Sequence, residues 1–277
     1  QCGAEGAPLK CPCKVGYYCN VECQKQAWPL HRQMCTFDLL KKLEKLRARF
    51  GADDMEVGKV AFDIGHLFAD QDRLSESAQW MEEALRIFLV VHGGKKENCD
   101  VAACFGNLCD IYLRQGKVEE AFTTAKQLLR LTRRVYGDDS NQVARALGGL
   151  ATCLEKQGLH DRALDKYEEA HDIFYSLHGE DHEDVAIVLG NMAAVLHVQG
   201  RVQEAMVIDE KVLSIRRRAL GVDSKDVSFS LLNLGGGYLD QGMCDDALAR
   251  LEEGLAITRR IHPEAHSMEG KFLDSIG

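Results

Sequence analysis

The chain has 277 residues, of which 45% are hydrophobic and 28% are charged, and its formal net charge is −9. This composition provides enough apolar side chains for a folded core. No run of about 18 apolar residues occurs, so no transmembrane helix is expected, and the cysteine-rich start does not have the pattern of a secretory signal. We therefore expect a soluble protein of the cytoplasm, with the nucleus as the alternative compartment.

Six of the 11 cysteines fall in the first 35 residues, where they are interleaved with His31. A dense Cys/His cluster without a secretory signal indicates a metal site rather than disulfides. The spacing Cys19-x3-Cys23-x7-His31-x3-Cys35 places two ligand pairs on short helical turns, and thiolate with imidazole is the ligand set of structural zinc. Free thiols without metal are the alternative, but they would crowd several thiolates without a cation.

This segment resembles a MYND zinc finger, with Tyr18, Gln24 and Trp28 at the family's places beside the ligands. The resemblance implies two zinc ions in a cross-braced arrangement. One ion would be held by Cys11, Cys13, His31 and Cys35, and the other by Cys2, Cys19, Cys23 and one more cysteine. That last ligand would stand before Gln1, so we expect the chain to be a fragment of a longer one. Cys11 and Cys13 are also one residue closer than the family's usual Cys-x2-Cys.

Residues 36–53 form the predicted connecting helix between the finger at 1–35 and the rest of the chain, with leucines at three- to four-residue spacing. Residues 1–49 carry a formal +5, which leaves −14 for the remainder of the −9 chain. An acidic remainder favours basic or neutral protein segments as partners and disfavours nucleic acid. The basic front either contacts an acidic surface or is a solvated helix face.

A Gln-Gly pair recurs every 42 residues, at Gly116, Gly158, Gly200 and Gly242. In phase with it, an alanine follows five residues after each glycine and an apolar residue stands eight before it. Such a period predicts a solenoid of helical hairpins, in which the glycine allows a tight turn and the alanine a close helix approach. The predicted units lie in residues 54–277, near 54–100, 101–142, 143–184, 185–226 and 227–266, with a partial unit at 267–277. The residues of the first unit lie 44 residues, rather than 42, before their counterparts in the second.

The five cysteines of this region are expected to be buried as small apolar side chains: Cys99, Cys104, Cys109, Cys153 and Cys244.

The hairpins resemble the tetratricopeptide repeats of the kinesin light chain family, as in VAIVLGNMAAVLHVQGRVQEAMVIDEKVLSIRRRALG. The resemblance implies an all-α fold, a right-handed solenoid of helical hairpins behind a small zinc finger. It also implies that asparagines on the first helix of each unit hold a bound peptide, since an amide both donates and accepts. The alternative is an asparagine that bonds to its neighbouring helix. The third unit has Gly149 at this place. The residues expected to line the binding groove are Asn107, Arg114, Arg145, Asn191, His197 and Asn233. The charged and titratable residues expected on the groove face are of mixed sign, unlike a basic clamp for a terminal carboxylate: Lys59, His66, Asp110, Arg114, Arg145, Glu155, Lys156, His197 and Asp240.

We expect a non-catalytic adaptor or scaffold that binds proteins or peptides through the groove and the finger. The alternative is an architectural subunit of a motor, ciliary or trafficking assembly. A fragment of a SET-type lysine methyltransferase, which also joins a MYND finger to helical repeats, is a weaker alternative because no domain fits between Cys35 and residue 54. No hydrolase, zinc-protease or P-loop string occurs, and Gly235-Gly236-Gly237 is interpreted as a flexible or closely packed helix segment. No feature of the sequence selects an oligomeric state.

Overall fold

The computed structural model describes residues 9–10, 17–18, 36–95, 97–261 and 267–276. At the front, strand β1 (Leu9–Lys10) pairs antiparallel with β2 (Tyr17–Tyr18), with residue 9 opposite residue 18. Everything described from residue 36 onward is helical or lies in the short turns between helices. The chain divides into two compact units, residues 1–135 and 136–277.

Twelve helices occupy the described residues, and ten of them pair as consecutive hairpins. This confirms the predicted all-α fold. The helices are α1 (Thr36–Phe50), α2 (Met55–Asp70), α3 (Leu74–Val91), α4 (Cys99–Arg114), α5 (Val118–Tyr136), α6 (Asn141–Lys156), α7 (His160–His178), α8 (Glu183–Val198), α9 (Val202–Leu220), α10 (Lys225–Asp240), α11 (Cys244–Ile261) and α12 (Ser267–Ile276). The hairpins are α2–α3, α4–α5, α6–α7, α8–α9 and α10–α11. None of the described helices combines the length and the apolar composition that crossing a membrane requires.

The turn inside each later hairpin depends on its glycine. Gly116, Gly158, Gly200 and Gly242 have φ between +72° and +76°, a left-handed conformation that is natural for glycine after a helix end. In the first hairpin Asp72 takes this place with φ +58°, and it is the one non-glycine residue with positive φ in the described part of the chain. The expected role of the glycine is therefore confirmed, and the first hairpin departs from it.

Close contact between the two helices of a hairpin depends on the repeated alanine. Each of the four alanines is fully buried, at 0% exposure: Ala121, Ala163, Ala205 and Ala247. In the first hairpin Ser77 fills the equivalent place, and its hydroxyl donates to the Gly65 carbonyl at 2.7 Å. A buried hydroxyl is tolerated there because it has this partner.

An arginine near the end of the second helix closes three of the hairpins onto the loop that precedes the first helix. The pairs are Arg134–Glu97, Arg218–Asp181 and Arg260–Asp223, with nitrogen–oxygen distances of 3.1, 2.8 and 3.1 Å. We call each pair a clasp. In the α6–α7 hairpin Ser176 stands at the arginine position, and His178 instead bonds to Asn141 at 2.6 Å.

Helices α1 and α12 cover the outer hairpins. Leu43 of α1 is 2% exposed and packs against Val57, Val60 and Ile64. Phe272 of α12 is fully buried, and it lies so close to Gly254 that a side chain there would collide with its ring, 2.5 Å from an added Cβ. A helix beginning at 267, as predicted, is confirmed.

The cysteine prediction holds for three of the five. Cys104, Cys109 and Cys153 are buried, but Cys99 and Cys244 are exposed. The prediction was wrong for these two because each is the first residue of its helix, α4 or α11, and precedes the apolar stripe that packs inward.

Candidate functional site

The proposed zinc ligands lie outside the described residues. The structure gives only the elements beside them, the β1–β2 pair on either side of residues 11–16 and helix α1, which starts directly after Cys35. The donor set itself, thiolates with one imidazole, is the set that zinc prefers in structural sites. The residues present therefore fit a zinc finger in chemistry.

The three predicted groove asparagines are not equivalent. Asn107 donates its amide N–H to the Ala103 carbonyl of its own helix at 2.9 Å. The amides of Asn191 and Asn233 are half-buried and have no hydrogen-bond partner within the described ranges. Asn107 is thus bonded within its own helix and not to the neighbouring helix of the stated alternative, whereas the other two amides have no such bond.

The two predicted groove arginines are both engaged by the protein. Arg114 donates to the Ala69 carbonyl and to the Asp72 carboxylate, at 3.0 Å each, and so links α4 to the turn of the preceding hairpin. Arg145 lies 3.5 Å from Asp184, with 72% of its side chain exposed. Arg114 therefore has a structural role that spacing alone did not indicate.

A cleft of about 380 Å³ opens between α8, α9 and α10, and we call it the α8–α10 cleft. It brings together His197, Asn233 and Asp240, which were all expected on the groove face. Its lining consists of Ala194, His197, Asp209, Leu232, Asn233, Gly236, Gly237 and Asp240. Two carboxylates, one imidazole and one amide supply its polar groups.

The glycine run of α10 shapes this cleft. Gly235 is packed against Leu251, 2.5 Å from an added Cβ, and Gly237 against Met206 at 2.9 Å. The closely packed interpretation is therefore confirmed at these two positions. At Gly236 an added Cβ would meet nothing within 4 Å, so this residue leaves the cleft open.

Asp209 lies buried at the cleft, with 4% of its side chain exposed. The imidazole Nε2 of His197 lies 2.9 Å from its Oδ2, a distance at which an N–H donates to a carboxylate. Burial raises the pKa of Asp209, and the hydrogen bond from His197 opposes that rise.

The sequence patterns did not indicate Asp209, although a signal was present. The equivalent residues of the other hairpins are Met81, Ala125, Tyr167 and Leu251, at displacements of 44 or 42 residues, and all of them are buried. A buried acid at a position that the other hairpins fill with uncharged side chains indicates a role other than packing, because burial of a carboxylate is costly.

A larger cleft, of about 520 Å³, lies between α7, α8 and α9. Four acids surround its apolar lining: Asp161, Asp165, Glu168 and Glu204. Arg201 is the basic residue of this lining. Arg201 is bonded to Glu204 at 2.8 Å. These two clefts, both within residues 136–277, thus contain more carboxylates than basic side chains.

One further cluster contains His178, His182 and Asp184, whose ligand atoms all lie within 4.8 Å of one another. The two imidazole rings stack with centroids 4.1 Å apart. Nδ1 of His182 accepts from the backbone N–H of Asp184 at 3.2 Å and caps α8. Together with the bond between His178 and Asn141, these contacts account for the position of both rings.

Comparison with protein families matches the chain twice. Residues 100–176, 151–206 and 184–260 match the model of the tetratricopeptide repeat, which together is more than half of the chain. Residues 1–35 match the MYND finger. A comparison with curated proteins finds no match.

Solved structures share the fold. The crystal structure of BtubC (BKLC) from P. vanneervenii is 21% identical, with a TM-score of 0.69 over 86% of this chain and 93% of that one. A putative kinesin light chain with nearly identical TPR-like repeats from Podosopora anserina is 19% identical, with a TM-score of 0.62 over 74% and 96%. The apo form of RapI is 12% identical, with a TM-score of 0.62 over 91% and 92%. The chain belongs to the tetratricopeptide repeat family, and a MYND finger precedes its repeats.

Proposed function

We propose that the chain is a non-catalytic adaptor that binds extended segments of partner proteins across the first helices of its hairpins. The observation that carries this proposal is Asn233, which lines the α8–α10 cleft and whose amide has no partner within the described ranges. An amide in such a place can pair with the N–H and the C=O of a peptide backbone. Membership of a repeat family that generally binds proteins supports the same function.

A catalytic role for the cleft receives no support from its lining. The His197–Asp209 pair has the geometry that activates a nucleophile in some enzymes, but no Ser, Thr or Cys is among the residues that line the cleft. The pair therefore has no nucleophilic side chain of the lining to activate, and we assign it to binding.

The finger supplies the second binding surface in this proposal. Zinc held by Cys2, Cys11, Cys13, Cys19, Cys23, His31 and Cys35 would form its two sites, with one further ligand for the site of Cys2, Cys19 and Cys23. In the family such fingers take short proline-containing peptides, and we extend this preference to residues 1–35. The metal's contribution here is to fold the finger, not to perform chemistry.

The adaptor function is tested by peptide display against the full, zinc-loaded chain, followed by affinity measurement with the enriched peptides. Replacing Asn233 with alanine should weaken binding by about 1 to 3 kcal/mol, or roughly 5- to 150-fold. Asn107→Ala is the matched control, because the amide of Asn107 is already bonded to its own helix and its loss should change affinity less.

Stability separates the competing interpretations. Both asparagine variants should unfold at nearly the wild-type denaturant concentration, since neither side chain fills the core. If Asn233→Ala unfolds the repeats and its folded fraction binds normally, the asparagine is structural. If no peptide is enriched and the chain is recovered only within a constant large complex, the architectural-subunit function replaces the adaptor.

A further inference from the structure

We propose that the α8–α10 cleft selects a lysine or arginine side chain of the bound segment, using the carboxylates of Asp209 and Asp240. The inference rests on the proposed function and names the chemistry of its ligand. It follows from the carboxylates that line the cleft, from the burial of Asp209, and from the contacts that hold the neighbouring Arg216 away from it.

The lining holds negative charge without a matching cation. Asp209 and Asp240 contribute two carboxylates, and the lining contains no Lys or Arg. Among the described residues, His197 is the titratable group that contacts Asp209 directly, at 2.9 Å. The two carboxylates lie at a cleft that is partly shielded from water, where charges act more strongly than at an open surface.

The nearest arginine is already committed elsewhere. Arg216 is close enough to influence Asp209 electrostatically, but its guanidinium donates to the Ser230 hydroxyl at 2.9 Å and lies 3.5 Å from Glu183. With 11% of its side chain exposed, it is fixed between α9 and α10. Arg216 therefore does not pair with the Asp209 carboxylate, whose hydrogen-bond partner among the described residues is the His197 imidazole.

An apolar occupant would not suit the cleft. It would exclude water from the carboxylates without supplying a hydrogen-bond donor or a positive charge, which is costly for a charged group. An anionic occupant would be repelled by both aspartates. An ammonium or guanidinium group supplies both charge and N–H donors, so a basic side chain is the chemistry that satisfies the lining.

The shape of the cleft agrees with one inserted side chain. Its volume of about 380 Å³ is near the lower end for small-ligand sites, which is about 300 Å³. Gly236 leaves the wall open, and Asn233 stands beside it on the same helix. The asparagine can then hold the backbone of the segment while the basic side chain reaches the carboxylates.

Asp209 also has the energetic signature of a residue kept for binding. Burial raises its pKa, which means that its charged form is disfavoured in the free protein. A cation that arrives with a ligand favours the charged form and offsets part of that cost. The other hairpins place side chains without a carboxylate at this position, namely Met81, Ala125, Tyr167 and Leu251.

The direct test uses small probes on the full, zinc-loaded chain. Nα-acetyl-lysine amide, Nα-acetyl-arginine amide and the neutral Nα-acetyl-norleucine amide are titrated separately while backbone amide NMR shifts are recorded. Either cationic probe should shift the amides around residues 233–240 and bind at least about tenfold more tightly than the neutral probe, a difference of about 1.4 kcal/mol. Asp209→Asn and Asp240→Asn should each reduce that preference, whereas Asp246→Asn, an exposed aspartate of α11 outside the cleft, should not.

Three outcomes would overturn the inference. They are equal shifts from the neutral and cationic probes, an unchanged preference in folded Asp209→Asn and Asp240→Asn proteins, and shifts produced by calcium chloride but by neither cationic probe. Because Asp240 is exposed, its variant tests the inference even if Asp209→Asn alters folding.

Peptide display then distinguishes this inference from the function on which it rests. Enriched peptides should contain a lysine or arginine at one fixed position, and that requirement should disappear when the display is repeated with Asp209→Asn. Enrichment of peptides without a basic residue defeats the cationic cleft and leaves the adaptor intact. Failure to enrich any peptide, with normal probe binding, defeats the adaptor alone.

Discussion

Arg114, the last residue of α4, reaches back to Asp72 in the turn between α2 and α3, and the guanidinium lies 3.0 Å from the carboxylate oxygen. Asp72 is also the residue that takes the left-handed turn conformation, with φ +58°. Asp72 thus combines an uncommon backbone conformation with a side-chain contact to the next hairpin. Aspartate is among the few residues other than glycine that tolerate this geometry.

The two roles of Asp72 are separable by substitution. Asp72→Ala should lower the free energy of unfolding by about 1 to 2 kcal/mol, because alanine tolerates the left-handed conformation less well than aspartate and also loses the contact. Asp72→Gly should stay within about 0.5 kcal/mol of wild type, since relief of the backbone offsets the lost ion pair. Urea denaturation measures both. Equal destabilisation by alanine and glycine would show that the contact, not the backbone, dominates.

Removal of zinc should affect only the front of the chain. Structural zinc contributes folding free energy to the residues that it ties together, and α1 onward has an apolar core of its own in the contacts of Leu43 with Val57 and Val60. Chelation followed by circular dichroism at a helix-sensitive wavelength should therefore show most of the helical signal retained. A cooperative loss of that signal would contradict the expectation.

Helix α12 should stabilise the last hairpin through one side chain. Phe272→Ala should lower the free energy of unfolding by about 3 to 5 kcal/mol, the usual cost of truncating a buried phenylalanine, because its ring fills the space above Gly254. Leu273→Ala is the matched control, since Leu273 is 48% exposed and should change stability little. Similar effects of the two substitutions in thermal denaturation would argue against this packing role.

The buried carboxylate should give stability a particular pH dependence. The pKa of Asp209 is raised in the folded chain by burial, so the folded state binds more protons than the unfolded state between the two pKa values. The stabilising contribution is thus fully present below the unfolded pKa, about 3.9, and is lost as the pH rises through the folded value. Asp209→Asn should remove this dependence and should unfold at a denaturant concentration no lower than wild type at pH 7. Denaturant midpoints of both proteins across that pH range measure the effect, and a wild-type contribution that grows with pH would refute it.

The periodic residues of the fold were predictable because their roles are local. A left-handed turn favours glycine and a close helix pair favours alanine. Gly200 and Ala205 perform these roles in one hairpin, and their equivalents at 42-residue spacing perform them in the others. The beginning of α12 at residue 267 followed from the same count.

Contacts that join residues far apart in sequence were not predictable in this way. Arg114 was expected in the groove, but its long side chain bonds to a turn 42 residues earlier. The role of Asp209 was not predictable from the repeated residues, because a pattern shared by all hairpins does not mark the one hairpin that departs from it. A departure from an otherwise apolar position was the available signal, and its meaning required the contact with His197.

The clasps have a consequence for the ancestry of the chain. Arg218–Asp181 and Arg260–Asp223 each join residues 37 positions apart within one hairpin, so neither depends on a neighbour to close it. Excision of residues 185–226, one full period, would reconnect equivalent positions and pair Asp181 with the arginine now at 260. Gene duplication or deletion in steps of 42 codons can therefore lengthen or shorten the array with its clasps intact where the hairpins concerned carry the arginine, but the α6–α7 hairpin, with Ser176 at that place, cannot complete a clasp.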